Sequence, residues 1–143
     1  MSAAIAMNGV IQKTATALNA EVRLAADPAS LDYMPVAGSI EDHATMAVEG
    51  VAKAARGLDA AMTLLAIELI VAAQAIDLRA GNTLGAGTAA VHELLRAHVP
   101  TMREDRLVSR DIAAVRALLD DGSVLKAAGD AIDRTLGGVT PGA

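Results

Sequence analysis

Apolar positions along these 143 residues recur mainly at three- and four-residue spacing, the rhythm of helices that bury one face. The first such stretch runs from about Ala3 to Ala26, apolar at Ile5, Val10, Leu18, Val22 and Leu24. Gly9 weakens its start. Asp27-Pro28 ends it, because proline disfavours helix in the residue before it and breaks the ladder. A loop from Pro28 to Gly38 follows, with a second breaker at Pro35. Ser39 is the expected N-cap of the next element, with Asp42 three residues on in the place of a capping-box acid. From Ile40 the helical pattern continues to about Leu78, with Gly50 and Gly57 as candidate kinks. Arg79 to Gly87 reads as a turn region, and Thr88 is the expected cap of a third helix that ends before Pro100. A charged connector, Thr101 to Val108, leads to Ser109, the expected cap of a helix through Leu119 or Asp120. Asp121-Gly122 breaks that helix, and a last one covers roughly Val124 to Leu136. No internal repeat and no strand-like alternation appears. The pattern predicts an all-α protein, a long-helix bundle with short C-terminal helices. It is expected to form one helical domain over residues 1–136, with a flexible tail at 137–143.

Composition strengthens the helical reading. The chain is 53% hydrophobic, yet Tyr33 is its one aromatic residue, so the apolar mass is Ala, Leu, Val, Ile and Met. Alanine and leucine lead the helix propensity scale, and aromatic strand formers are scarce. Net charge is −5 with scattered basic residues, which argues against nucleic-acid binding, where a basic stripe or stacking aromatics would be expected. The absence of cysteine removes disulfides, thiolate catalysis and cysteine-based zinc sites together. No charged region precedes the first apolar residues, so the start does not read as a signal peptide, and a cytoplasmic protein is expected.

Ala60 to Ile76, AAMTLLAIELIVAAQAI, is apolar enough to raise the membrane question. A spanning helix needs about 20 such residues. This one holds Glu68 and Gln74 inside and Asp77 and Arg79 at its end, which favours a buried core helix over insertion. A helix apolar on nearly all sides needs protein around it, and in so short a chain that points to oligomerisation or to a partner segment. Glu68 and Gln74 are expected to be satisfied buried groups at a helix–helix contact, because an unpaired polar group there is costly.

The densest polar cluster is Ser39-Ile40-Glu41-Asp42-His43-Ala44-Thr45-Met46, just past the loop with its proline and glycine. Acids in a first helical turn are stabilised by the helix dipole by about 0.3–1 kcal/mol each, which is reason enough for them. The functional alternative puts one carboxylate at a cleft, where it binds a substrate amine or takes a proton. Other candidates are weaker. His92 and His98 stand six residues apart, about 240° around a helix, so they cannot share a metal as histidines four apart would. Gly81, Gly85 and Gly87 follow a helix and not a strand, so they read as a turn and not as a phosphate-cradling loop. Glu104-Asp105-Arg106 reads as a solvated charge run.

The cluster also carries a resemblance. Glu41-Asp42-His43-Ala44-Thr45-Met46 resembles the Glu-Asp-His-x-Ser/Thr-Met segment of histidine ammonia-lyases and related bacterial aromatic amino acid lyases. Pro28-Ala29-Ser30-Leu31-Asp32, with Pro35 following, is similar to that family's Pro-Ala-Ser-x-Asp-x-x-Pro stretch. Leu65-Ala66-Ile67-Glu68-Leu69 through Ala72-Ala73-Gln74-Ala75-Ile76-Asp77 resembles its core helix. Leu84-Gly85-Ala86-Gly87-Thr88, Arg96-Ala97-His98-Val99-Pro100 and Glu104-Asp105-Arg106 continue the likeness in family order. It spans about Gly9 to Leu119. Each motif is weak alone, and their common order is what counts.

The resemblance implies the C-terminal segment of a helical homotetramer whose long helices form a shared central bundle. It implies elimination of ammonia from histidine, phenylalanine or tyrosine to give the α,β-unsaturated acid. It also implies a methylidene-imidazolone electrophile made from an Ala-Ser-Gly triplet. The family's acid of the Glu-Asp-His segment falls on Glu41, which would engage the substrate amine or act in acid–base chemistry. Three departures stand beside this. The 143 residues contain no Ala-Ser-Gly triplet. The family's tyrosine base and carboxylate-binding arginine lie in its N-terminal part. Ile40 stands where histidine ammonia-lyases usually carry glutamine, which leaves the substrate open. The chain is therefore expected to be inactive alone. It would form a homo-oligomer or a complex with a cofactor-bearing lyase chain, the methylidene-imidazolone coming from a missing N-terminal segment or from that partner. The complete enzyme would take a small aromatic amino acid. The alternative is a non-catalytic helical oligomerisation module or a degenerate lyase remnant.

Overall fold

The computed structural model describes residues 3–31, 35, 37–40, 45–79, 81 and 83–137. Five helices follow in order: α1 (Ala3–Ala26), α2 (Ala47–Leu78), α3 (Ala86–His98), α4 (Val108–Asp120) and α5 (Ser123–Gly137). Short 3₁₀ turns at Ala29–Leu31 and Ala37–Ser39 lie between the first two, and no strand occurs among the described residues. The all-α expectation holds, with two long helices ahead of three shorter ones. Residues 138–143 of the expected tail lie outside the described residues. Among the described residues one helix, α2, is long and apolar enough to cross a membrane, by length and composition alone.

α1 occupies the span its pattern predicts. α2 does not start at Ile40. Ile40 closes a turn on the carbonyl of Ala37, and Thr45 and Met46 are not helical. Met46 sits at φ +48°, in the left-handed region that a right-handed helix cannot enter, and its carbonyl accepts the first helical bond from the Gly50 amide at 2.8 Å. The acid of the first turn is therefore Glu49. Ser39 belongs to the preceding 3₁₀ turn and does not cap α2. Thr88 and Ser109 likewise lie inside α3 and α4, whose N-caps are Gly85 and Leu107, both in extended backbone without a side-chain cap bond. At the other break the sequence reading holds: Gly122, at φ +77°, separates α4 from α5, a conformation that suits glycine.

The contacts group into two compact units, residues 1–12 with 65–143 and residues 13–64. The first unit holds the main core: Ala66, Ile70 and Ala73 of α2 meet Leu95 and Val99 at the end of α3 and Val115 and Leu118 of α4. α5 packs chiefly along α3. There Gly87 lets the helices close in, since a Cβ at that position would lie 3.1 Å from Ile132 Cδ1. In the second unit the end of α1 lies against α2, where a Cβ on Gly57 would stand 3.1 Å from that of Ala25. α2 shows no break at Gly50 or Gly57.

Candidate functional site

Glu41 lies outside the described residues, as do Asp42, His43 and Ala44. The described polar chemistry gathers instead in the first unit, where α2 ends. Asp77 is one residue from the end of α2. The Nε2–H of His92 donates to its Oδ1 at 2.7 Å, the Nε–H of Arg96 to its Oδ2 at 2.7 Å, and the Thr101 hydroxyl also donates to Oδ2. His92 and Arg96 are four apart and so share one face of α3. Arg96 also donates through Nη1 to the carbonyl of Val99 at 3.0 Å, while its Nη2 is buried without a partner. Burial pushes the Asp77 carboxyl up, but hydrogen bonds from Thr101 and His92 and the charge of Arg96 outweigh it and hold the pKa below the ordinary carboxylate value.

One turn back, Gln74 is 4% exposed and makes a reciprocal pair with the backbone of Met102. Its Nε2 donates to the Met102 carbonyl at 3.0 Å, and its Oε1 accepts from the Met102 amide at 2.9 Å. Gln74 and Asp77 thus pin the connector after α3 to α2. Arg106 fastens the connector's far end, donating to Asp111 and to the Pro100 carbonyl. Gln74 is buried and satisfied as expected, but by the connector backbone and not at a helix–helix contact. The expectation for Glu68 does not hold: it is exposed, because it falls on a different side of α2 from Ala66, Ile70 and Gln74.

What this cluster can do is hold geometry. A carboxylate bonded to an imidazole is half of a general-base arrangement, but such an arrangement also needs a nucleophile or substrate at the other ring nitrogen. The bonds around His92 join it to Asp77, and those around Asp77 lead back into the scaffold. The two histidines point to separate partners: His98 donates from Nδ1 to the carbonyl of Leu94 at 3.0 Å. No group of three or more His, Cys, Asp or Glu side chains that could hold a metal lies together among the described residues. Glu104 and Asp105 are exposed, whereas Arg106 is tied down. Sequence reasoning missed the Asp77 hub, although the four-residue spacing of His92 and Arg96, with an acid ending the apolar helix, was its available signal.

Each unit has a concavity of note among the described residues. In the first, an open groove of about 610 Å³ runs between α3 and α5, lined by Leu69, Gly87, Val91, Ala128 and Ile132 among others. No ionisable side chain lines it, so it can hold an apolar group but cannot move a proton. In the second, a cleft of about 300 Å³ lies between α1 and α2, lined by Leu24, Ala25, Glu21, Glu49, Lys53 and Arg56. Arg56 bonds Glu49 at 2.7 Å along α2, both side chains well exposed.

Residues 5–97 match the family model described as aromatic amino acid lyase. The histidine ammonia-lyase of Stigmatella aurantiaca is 45% identical over 118 residues, which cover 82% of this chain and 23% of that protein. That of Myxococcus xanthus is 43% identical over the same shares. Among solved structures, histidine ammonia-lyase from Trypanosoma cruzi superposes with a TM-score of 0.80 at 32% identity, over 86% of this chain and 24% of that one. The ergothioneine-degrading enzyme ergothionase from Treponema denticola superposes with a TM-score of 0.74 at 40% identity, over 82% of this chain and 24% of that one. The chain thus spans about a quarter of the length of the relatives it matches.

Proposed function

The chain belongs to the aromatic amino acid lyase family, and on that premise we propose that it is a segment of an amino acid ammonia-lyase that supplies an acid to an active site completed by other residues. The observation that carries the reading is the Glu41-Asp42-His43 run inside a stretch 45% identical to a histidine ammonia-lyase. The reaction converts an amino acid into its α,β-unsaturated acid and ammonium. The Cβ–H and Cα–N bonds break, a Cα=Cβ double bond forms, and the proton lost from Cβ leaves with the amine. On this proposal Glu41 engages that amine, as an acceptor for the ammonium or as a proton carrier on its departure, a role carried by the family resemblance of its motif. Histidine leads the substrate list through the relatives' names, and Ile40, standing where histidine ammonia-lyases usually carry glutamine, keeps tyrosine and phenylalanine on it.

The methylidene-imidazolone electrophile of this family activates the amine when present, but these residues do not fit its formation. It arises from Ala-Ser-Gly, and the sequence has no such triplet. The chain is inactive alone, and the group comes from an N-terminal segment or a partner chain. The assembly is a homo-oligomer or a complex with that cofactor-bearing lyase chain, in the cytoplasm. The second reading is a non-catalytic helical module or a remnant, for which the extent of exposed aliphatic surface on α2 is the supporting observation.

Mixing decides between them. The chain is combined with a lyase polypeptide that carries Ala-Ser-Gly but lacks this segment, and formation of urocanate or cinnamate-type acids is followed. The proposal expects product from the mixture and from neither component, and a loss of about 10²–10⁴-fold with Glu41→Gln. The same substitution should alter folding stability by no more than about 1 kcal/mol. A tight but inactive pair, with every aromatic amino acid offered, would leave only the non-catalytic reading.

A further inference from the structure

Asp121-Gly122 closes α4 and leads into α5, and it is the one place in the sequence where glycine follows aspartate. That pairing carries its own chemistry, because no side chain shields the Gly122 nitrogen from the carboxyl of its neighbour. The nitrogen attacks Cγ of Asp121. An N–Cγ bond forms, the Cγ–OH bond breaks, and the amide proton leaves with the hydroxyl as water. The product is a five-membered imide. Water then opens one of its two ring C–N bonds. Opening at the main-chain carbonyl leaves the chain running through Cγ, an isoaspartate with one more backbone carbon. One water is lost and one regained, so the atoms balance without any other reagent.

The folded turn holds this reaction off. The ring closes only when the Gly122 nitrogen eclipses Cβ about the Cα–C bond of Asp121, whereas at ψ −1° it eclipses the Asp121 nitrogen instead. The Gly122 amide is also occupied, donating to the Leu119 carbonyl at 3.2 Å. The carboxylate accepts the Ser123 amide through Oδ1 at 2.9 Å. Hydrogen bonds from the Ser123 side chain and backbone hold its pKa below the ordinary value, so the neutral form that sheds water is scarce. No neighbouring group walls the turn in: Asp121 is exposed, and nothing lies within 4 Å of an added Cβ on Gly122. The locks therefore last only while α5 stays in place. That helix packs chiefly on α3, buries Ala131, and leaves Leu125, Ile132 and Leu136 in solvent. Few buried contacts mark a segment that opens on its own. We infer that Asp121 is a self-modification site: isoaspartate forms there when α5 opens, at a rate set by the opened fraction. The product feeds back on the fold. Its extra carbon displaces the Gly122 carbonyl, which accepts the Lys126 amide at 3.0 Å at the start of α5, and takes the carboxylate away from Ser123. Each modified copy then opens more readily. The inference stands apart from the lyase reading and survives if no mixture is ever active.

The experiment ages the full chain at neutral pH, folded and in urea, beside a peptide of residues 117–126, and counts isoaspartate by peptide mapping. Isomerisation leaves the mass unchanged, which separates it from deamidation at Asn8-Gly9. The peptide and the urea-unfolded chain should react at similar rates, and the folded chain at least about tenfold slower. Two variants away from the turn test the gate. Gly129→Ala, where nothing lies within 4 Å of the added Cβ, strengthens α5 and should slow the folded chain by roughly two- to fivefold. Gly87→Val, which pushes on Ile132, loosens α5 from α3 and should speed it at least about fivefold. Neither should change the rate in urea. The inference is overturned by a folded chain that isomerises as fast as the peptide, or by an unfolded chain that keeps Asp121 intact. A Gly129→Ala that stabilises the fold without slowing the reaction overturns it too, as does isoaspartate appearing first at another acid.

Discussion

Asp77 shows how one charge can organise a helix junction. Three donors from α3 and the connector converge on it, and together they hold its pKa below the ordinary value of 3.8 despite burial. A depressed carboxyl contributes stability in full above its unfolded pKa, and loses it as pH falls through the folded one. The wild type should therefore weaken as pH drops below about 4. Asp77→Asn should cost about 2 kcal/mol at neutral pH, because Arg96 and His92 lose an ionic acceptor, and should flatten that acid limb. Urea unfolding between pH 3 and 7 measures both, and an unchanged acid slope would show that the hub carries no net charge stabilisation. Gln74 is a neutral counterpart. Gln74→Leu strips partners from both polar groups of the buried Met102 backbone. About 1–3 kcal/mol should be lost, with faster amide hydrogen exchange at Met102 as its local signature.

At the scale of elements, periodicity and breakers were the legible part. Pro28 ends α1 and Gly122 parts α4 from α5, because both act through local backbone geometry. The caps were not legible. Ser39, Thr88 and Ser109 have the right side chain, yet Met46, Gly85 and Leu107 start the helices, because backbone conformation and not hydroxyl chemistry sets those ends. Glu68 and Gln74 look alike in the sequence, six residues apart in one apolar run. Only the packing of the core decides that one faces out and the other meets Met102. Glycines sort on the same physical ground. Gly129 lies within α5 with nothing within 4 Å of an added Cβ, so Gly129→Ala should stabilise the fold by about 0.5–1 kcal/mol. Gly87 faces the end of the Ile132 side chain. Gly87→Val should therefore cost about 1–3 kcal/mol, and Ile132→Ala should recover part of it in the double variant. Strict additivity of the two substitutions would mean that α3 and α5 are not coupled at that contact.

For the whole molecule, the governing fact is an apolar fraction of 53% with large aliphatic side chains left in solvent from Leu24 and Val48 through Leu78 to Leu136. Scattered exposed leucines are ordinary on a protein surface, whereas a row of them on one helix face is a patch of the kind that marks interaction sites. On α2 that row includes Val48, Val51 and Leu58, all well exposed. A side chain that only water touches contributes little to stability, so Val51→Glu with Leu58→Glu should leave helicity unchanged and move the urea unfolding free energy by no more than about 0.5 kcal/mol for each substitution. A loss of several kcal/mol would show that these side chains already have a partner in solution.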